Sequence, residues 1–222
     1  MIVTAEETIT LVGGARLEHS LLERSLALAP RIVAADGGAD RLLKSGHLPE
    51  AVIGDFDSIS ADTRSILPAE SLHPIAEQDS TDFDKCLRNI DAPLVIGLGF
   101  SGDRQDHQLA CYNTLVRYPA RRCVLVGPDD LVFLLPPALH LDLDAGLRVS
   151  LFPLGAVEGV SNGLCWPIGG LNFAPDGMIG TSNAATGPVD LAVTSPKMLM
   201  FLPASCLESV VKALLINPTR WP

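Results

Sequence analysis

RIVAADGGADRLLKSGHLPEAVIGDFDS, residues 31–58, decides the fold. Two short apolar runs, Arg31–Ala35 and Ala51–Ile53, flank a segment of helical character at Asp40–Ser45. Parallel strands need a crossover connection, and a helix between two strand runs supplies one, so the stretch predicts a βαβ unit. Each run ends at once in an acid, Asp36 or Asp55, which puts both carboxylates at the carboxyl edge of a sheet. Open α/β sheets bind their ligands at that edge.

The pattern continues outward in both directions. Further runs rich in Val, Ile and Leu fall at Thr8–Val12, Leu72–Ile75, Leu94–Leu98 and Arg122–Val126, with helical segments at Leu17–Ala29, Thr81–Ile90 and Gln105–Tyr118. This alternation predicts an α/β N-terminal domain with an open, mainly parallel sheet. After Gly127 the texture changes to apolar runs separated by Gly, Pro, Asn and Asp: Leu131–Leu135, Leu147–Leu151, Gly163–Ile168, Met178–Ser182, Val189–Thr194 and Met198–Leu202. That spacing predicts an all-β sandwich C-terminal domain, closed by a short helix over Ala204–Ile216. Pro136–Pro137 fixes φ twice and reads as the hinge, giving domains 1–135 and 136–222.

Composition narrows the function classes. A chain of 222 residues with a formal charge of −10 and no run of Lys or Arg is a poor partner for nucleic acid. Five cysteines without CxxC spacing suggest neither a disulfide framework nor a zinc site and read as core thiols. No run reaches the roughly 18 apolar residues of a membrane span, and the first residues lack a signal-peptide pattern, so a cytoplasmic location is expected.

The acids cluster. Asp57 follows Asp55 by two residues, and in an extended stretch both side chains face one side and can share a cation. Magnesium takes hard oxygen ligands, commonly one or two carboxylates plus substrate phosphates. Taken singly, Asp36-Gly37-Gly38 also reads as a turn, and Asp55–Ser58 as a helix N-cap. In QDSTDFDK (78–85), Thr81 and Asp84 have capping-box spacing, which leaves Asp79 and Asp82 unexplained. Lys85 shares a helix face with Asp82, as an ion pair or aimed at phosphate. GLGFSGDRQDH (97–107) spells G-x-G-x-x-G, yet Asp103 would repel a bare pyrophosphate, and Arg121 and Arg122 stand where a dinucleotide fold wants an acid. Asp103 is a reasonable N-cap there, with Asp106 and His107 on the same face and Arg104 suited to phosphate.

Together ADGGAD (35–40), GDFDS (54–58), DSTDFDKCL (79–87) and GDRQDH (102–107) resemble the ordered motif set of thiamine pyrophosphokinases. Gly163–Pro167 is similar to that family's G-L-x-W segment, and Thr181-Ser182-Asn183 to its Ser-Asn motif. The resemblance implies an α/β domain binding Mg-ATP and a β-sandwich contributing to a thiamine pocket, in a homodimer with the site shared between subunits. It implies Asp36, Asp55, Asp57 and Asp82 as magnesium ligands, with Asp79 and Thr81 shaping the same site. Gln78, Lys85, Arg104 and Asp106 become nucleotide or phosphate contacts, with His107 in support. Ser182 and Asn183 would bond thiamine, and Trp166 would form its wall or belong to the core. The family more often has Gly-Gly-Arg where Gly102-Asp103-Arg104 stands, and Asn where Asp40 stands. The activity implied is transfer of pyrophosphate from ATP to thiamine. The rivals are a magnesium-dependent phosphohydrolase with an aspartyl nucleophile, using Asp129-Asp130 as a later acid pair, and a nucleotide-sensing module without chemistry.

Overall fold

A computed structural model describes residues 1–102 and 104–222; the expected N-cap, Asp103, lies outside the described residues. The chain divides into two compact units, Met1–Thr114 with Leu125–Pro128, and Leu115–Val124 with Asp129–Pro222. In chain order the first contains strands Val3–Thr4 (β1) and Ile9–Val12 (β2), helix His19–Leu28 (α1), strand Arg31–Ala35 (β3), helix Gly38–Lys44 (α2) and strand Ala51–Gly54 (β4). Helix Ala61–Ile66 (α3), strand Leu72–Pro74 (β5), helix Asp82–Asn89 (α4), strands Ile90–Asp91 (β6) and Val95–Leu98 (β7), most of helix Gln105–Arg117 (α5) and the end of strand Cys123–Val126 (β8) follow.

Five strands of this unit pair in parallel, in the order β5-β4-β3-β2-β7. Strands β2, β4 and β7 are buried along their whole length, as in Ile9-Thr10-Leu11-Val12, and β3 over Val33–Ala35, because helices cover both faces of such a sheet. The chain steps outward from β2 to β5 and then returns to place β7 beside β2, so the strand order reverses there. At this reversal the loops after β2 and β7 meet backbone to backbone. A Cβ on Gly13 would lie 2.6 Å from the Gly99 carbonyl oxygen, and one on Gly99, where φ is +71°, 2.6 Å from that of Gly13.

In α1 the apolar stripe Leu21 and Leu22 is buried, and so is Ser25, whose hydroxyl has no hydrogen-bond partner among the described residues. Ser25→Ala is therefore expected to stabilise the protein by about 1 kcal/mol, from a removed unsatisfied hydroxyl and better helix propensity. A rise in the urea midpoint with unchanged m-value checks this.

The second unit holds strands Asp130–Leu134 (β9), Ala138–Leu141 (β10), Arg148–Pro153 (β11), Val157–Leu164 (β12), Asn172–Phe173 (β13), Gly180–Val193 (β14) and Met198–Pro203 (β15), and helix Leu207–Ile216 (α6). All their ladder pairings are antiparallel. The 14-residue β14 serves two groups: its first part pairs with β11, its second with β10 and β12. It absorbs both Met178–Ser182 and Val189–Thr194, which the sequence separates at Gly187-Pro188. The strand continues because β12 accommodates it with a bulge, where Gly163 at φ +81° leaves room for the Pro188 carbonyl; a Cβ there would lie 2.0 Å from that oxygen.

Two expectations need correction. The run Gly163–Ile168 is only the end of β12, and β10 and α3 were not anticipated. The second unit takes Leu115–Val124 as well as Asp129–Pro222, and β9 pairs with β15 inside it. Around Pro136–Pro137, Leu135 N–H donates to the Met198 carbonyl and Val193 N–H to that of Pro137. Cys165 is exposed, while Cys86, Cys111, Cys123 and Cys206 are buried. Among the described residues no helix is long and apolar enough to cross a membrane.

Candidate active site

The carboxyl ends of the parallel strands open into a cleft of about 1150 Å³. Gly13 and Gly14 after β2, Asp36 after β3, Asp55 after β4 and Gly99–Gly102 after β7 all line it. This is the position that strand-order reversal selects in open α/β sheets.

Asp36 is buried and left-handed, with φ at +41°. Its carboxylate accepts the N–H groups of Ser58, at 3.2 Å on Oδ2, and Ile59, at 2.9 Å on Oδ1. Gly54 makes the approach possible, because a Cβ there would lie 2.8 Å from the Asp36 Cβ. Burial pushes the Asp36 carboxyl up to about 6; the two backbone donors oppose it, and Asp82 and Asp57 add repulsion.

The GDFDS loop is not extended, as the sequence argument supposed. Phe56 stands at φ +65°, a conformation unusual for a bulky residue, and Arg64 stacks over its ring at 5.3 Å. The kink nevertheless brings Asp55 and Asp57 to Asp36, so that one oxygen from each lies within 4.8 Å of the others. Backbone outliers of this kind concentrate at functional sites.

α4 supplies the opposing charge. Thr81 Oγ1 caps it by accepting the Asp84 N–H at 3.3 Å, the cap that its spacing predicts. Lys85 points back along the helix, its side chain 2% exposed, with Nζ 2.9 Å from Asp55 Oδ2 and 3.2 Å from Asp82 Oδ1. It is thus an ion-paired lysine shared by two carboxylates. The Lys85 hydrogen bond holds Asp55 below the usual carboxylate range, whereas burial pushes Asp82 up more than Lys85 pulls it down. Burial alone would lower the ammonium's pKa, but the two carboxylates outweigh it and raise it. Lys85→Met, which strands these acids, is expected to cost about 3 kcal/mol, the low end for a broken buried pair because Asp82 is 33% exposed and rehydrates. Urea denaturation measures the loss.

Other candidates separate by position. Gln78 donates to Asp55 Oδ2 at 3.0 Å. Asp79 is exposed and does not line the cleft. Arg104 and His107 line it, both exposed, and Arg104 pairs with Asp106 at 2.6 Å. Asp40, unremarked as a site residue, accepts Ser60 N–H at 3.0 Å and the hydroxyls of Ser60 and Thr63, so it anchors the start of α3. Ser60 as N-cap was the signal for that helix. Asp130, of the later acid pair that the hydrolase rival would use, pairs with Arg148.

On the β unit, Ser182 is exposed at φ +62° and its N–H donates to Ser150 Oγ at 3.0 Å. Asn183 is buried and largely occupied: its Oδ1 accepts the N–H of Trp166 at 3.1 Å and of Ala184 at 2.8 Å, and its Nδ2 donates to the Trp166 carbonyl at 2.7 Å. Trp166 is 64% exposed, so it is not a core residue.

The family described as thiamin pyrophosphokinase, catalytic domain, matches residues 22–126. Thiamine pyrophosphokinase 2 of Arabidopsis thaliana is 30% identical over 186 residues, covering 68% of this chain and 69% of the relative. Thiamine pyrophosphokinase 1 of Oryza sativa subsp. japonica is 30% identical over 185 residues, covering 68% and 70%. Among solved structures, thiamine pyrophosphokinase from Bacillus subtilis superposes with a TM-score of 0.74 at 21% identity, over 89% of this chain and 99% of that one, a likeness of fold.

Proposed function

Because the chain belongs to the thiamin pyrophosphokinase family, we propose that it transfers the pyrophosphoryl group of ATP to the hydroxyethyl oxygen of thiamine, giving thiamine pyrophosphate and AMP. The observation that carries this reading is the convergence of Asp36, Asp55 and Asp57, with Asp36 and Asp55 lining the cleft. Three hard oxygen donors suit Mg²⁺, which needs few protein carboxylates when substrate phosphates complete its shell. Bound there, the cation would neutralise charge on the transferring phosphates.

The thiamine oxygen attacks the β-phosphorus; the bond from that phosphorus to the oxygen bridging it to the α-phosphorus breaks, and the bridging oxygen leaves with AMP. Asp82 suits the acceptor of the hydroxyl proton better than Asp55 does, since burial raises its proton affinity whereas Lys85 and Gln78 hold Asp55 ionised. Arg104, at the start of α5, exchanges Asp106 for phosphate. Ser182 and Trp166, both exposed, contact thiamine, and Asn183 shapes that pocket by holding the Trp166 backbone. The two antiparallel groups joined by β14 form the sandwich, and the protein assembles as a homodimer with the site shared between subunits, a point supported by the family resemblance.

Incubation of the purified protein with ATP, Mg²⁺ and thiamine tests the reading: AMP and thiamine pyrophosphate should appear in equal amounts. Phosphate release that ignores thiamine would sink it.

A further inference from the structure

Asp55 offers two oxygens, and the protein uses them unequally. Oδ2 accepts both the Lys85 ammonium at 2.9 Å and the Gln78 amide at 3.0 Å. Among the described residues, Oδ1 receives only a long bond from the Asp57 N–H, at 3.4 Å. An ionised carboxylate accepts only, so it is the Nε2 side of Gln78 that faces it. Two donors fill the lone pairs of Oδ2, and one of them carries a full positive charge. A cation chelated by both oxygens would have to sit at bonding distance from Oδ2, against that ammonium and in place of the Gln78 amide.

The geometry points to Gln78 as a positioning residue that, with Lys85, restricts Asp55 to single-oxygen ligation and so sets the preference of the site for Mg²⁺ over Ca²⁺. The small ion holds near-ideal octahedral geometry at about 2.0–2.1 Å and is served by single oxygens, whereas calcium takes six to eight ligands and gains from bidentate carboxylates. Asp36 is restrained in the same sense, since each of its oxygens already holds a backbone N–H. Gln78 is the half of the clamp that can be removed cleanly: it is exposed, whereas Lys85 is buried.

The inference rests on the magnesium site of the proposed function, and its test reads metal binding rather than turnover. Mn²⁺ bound to the wild-type protein and to Gln78→Leu is followed by electron paramagnetic resonance and displaced with Mg²⁺ or Ca²⁺. The variant is expected to bind Ca²⁺ about tenfold better relative to Mg²⁺ than the wild type does. A ratio within twofold of wild type, equal weakening of both ions, or no Mn²⁺ binding to the wild type overturns the inference. Production of thiamine pyrophosphate by the wild type, assayed in parallel, judges the proposed function separately: a changed ion ratio without product would sink that function and leave the clamp standing.

Discussion

Replacing Asp55 with asparagine is expected to lower turnover at saturating Mg²⁺ by about a hundredfold or more, roughly 3 kcal/mol of lost transition-state stabilisation. The change keeps size and removes charge at the residue where three features meet: membership of the carboxylate trio, the ion pair to buried Lys85 and the amide of Gln78. Asparagine still accepts a bond from Lys85, so the fold should survive while the proposed cation site loses one of its three carboxylates. The control is Asp79→Asn in the neighbouring motif. Asp79 is exposed and off the cleft, and its loss should leave turnover within about twofold, as surface changes away from special features generally do. If Asp55→Asn stays within a few-fold of wild type when both are assayed over a range of Mg²⁺, the ligand assignment fails.

Gly38→Ala should be the most damaging single methyl in the first unit. A Cβ on Gly38 would lie 2.0 Å from the Val12 carbonyl oxygen, and the atoms it meets are backbone of the central strand, which has no rotamer to change. Relief requires α2 to move off β2, which also moves Asp36, two residues upstream. A destabilisation of about 4 kcal/mol or more is expected, in the exceptional range for a point change. Thermal unfolding of soluble material, or its absence from the soluble fraction, gives the measurement; a melting temperature within a few degrees of wild type would refute the account. Gly46→Ala is the informative contrast, because open space surrounds that position and the penalty is confined to its φ of +81°.

Much of this was legible in the sequence where the signal is local. Each strand run of the first half is a strand, because a parallel sheet covered on both faces demands continuous apolar segments, and each acid at the end of β3 and β4 lies at the carboxyl edge that follows. Thr81 capped the helix that its spacing predicts. What failed depends on partners distant in the chain. The fate of Gly187-Pro188 is decided by the bulge at Gly163 in another strand, so the local turn signal misled. The bent conformation at Phe56 has no sequence signature, since bulky residues ordinarily avoid positive φ. The occupation of Asn183 by the Trp166 and Ala184 backbones has no local signature, as an amide in a strand looks the same whether occupied or free.

The unequal exposure of the cysteines gives the protein a native handle for spectroscopy. Four thiols lie inside, three of them, Cys86, Cys111 and Cys206, with proton affinities pushed up by burial so that little thiolate forms near neutrality. Cys165 is exposed and adjoins Trp166 in the chain. A maleimide dye should therefore attach at that one position in the folded wild-type protein, without cysteine-free mutagenesis. Indole quenching of the dye would then report on the surroundings of Trp166 when thiamine is added, before any turnover is measured.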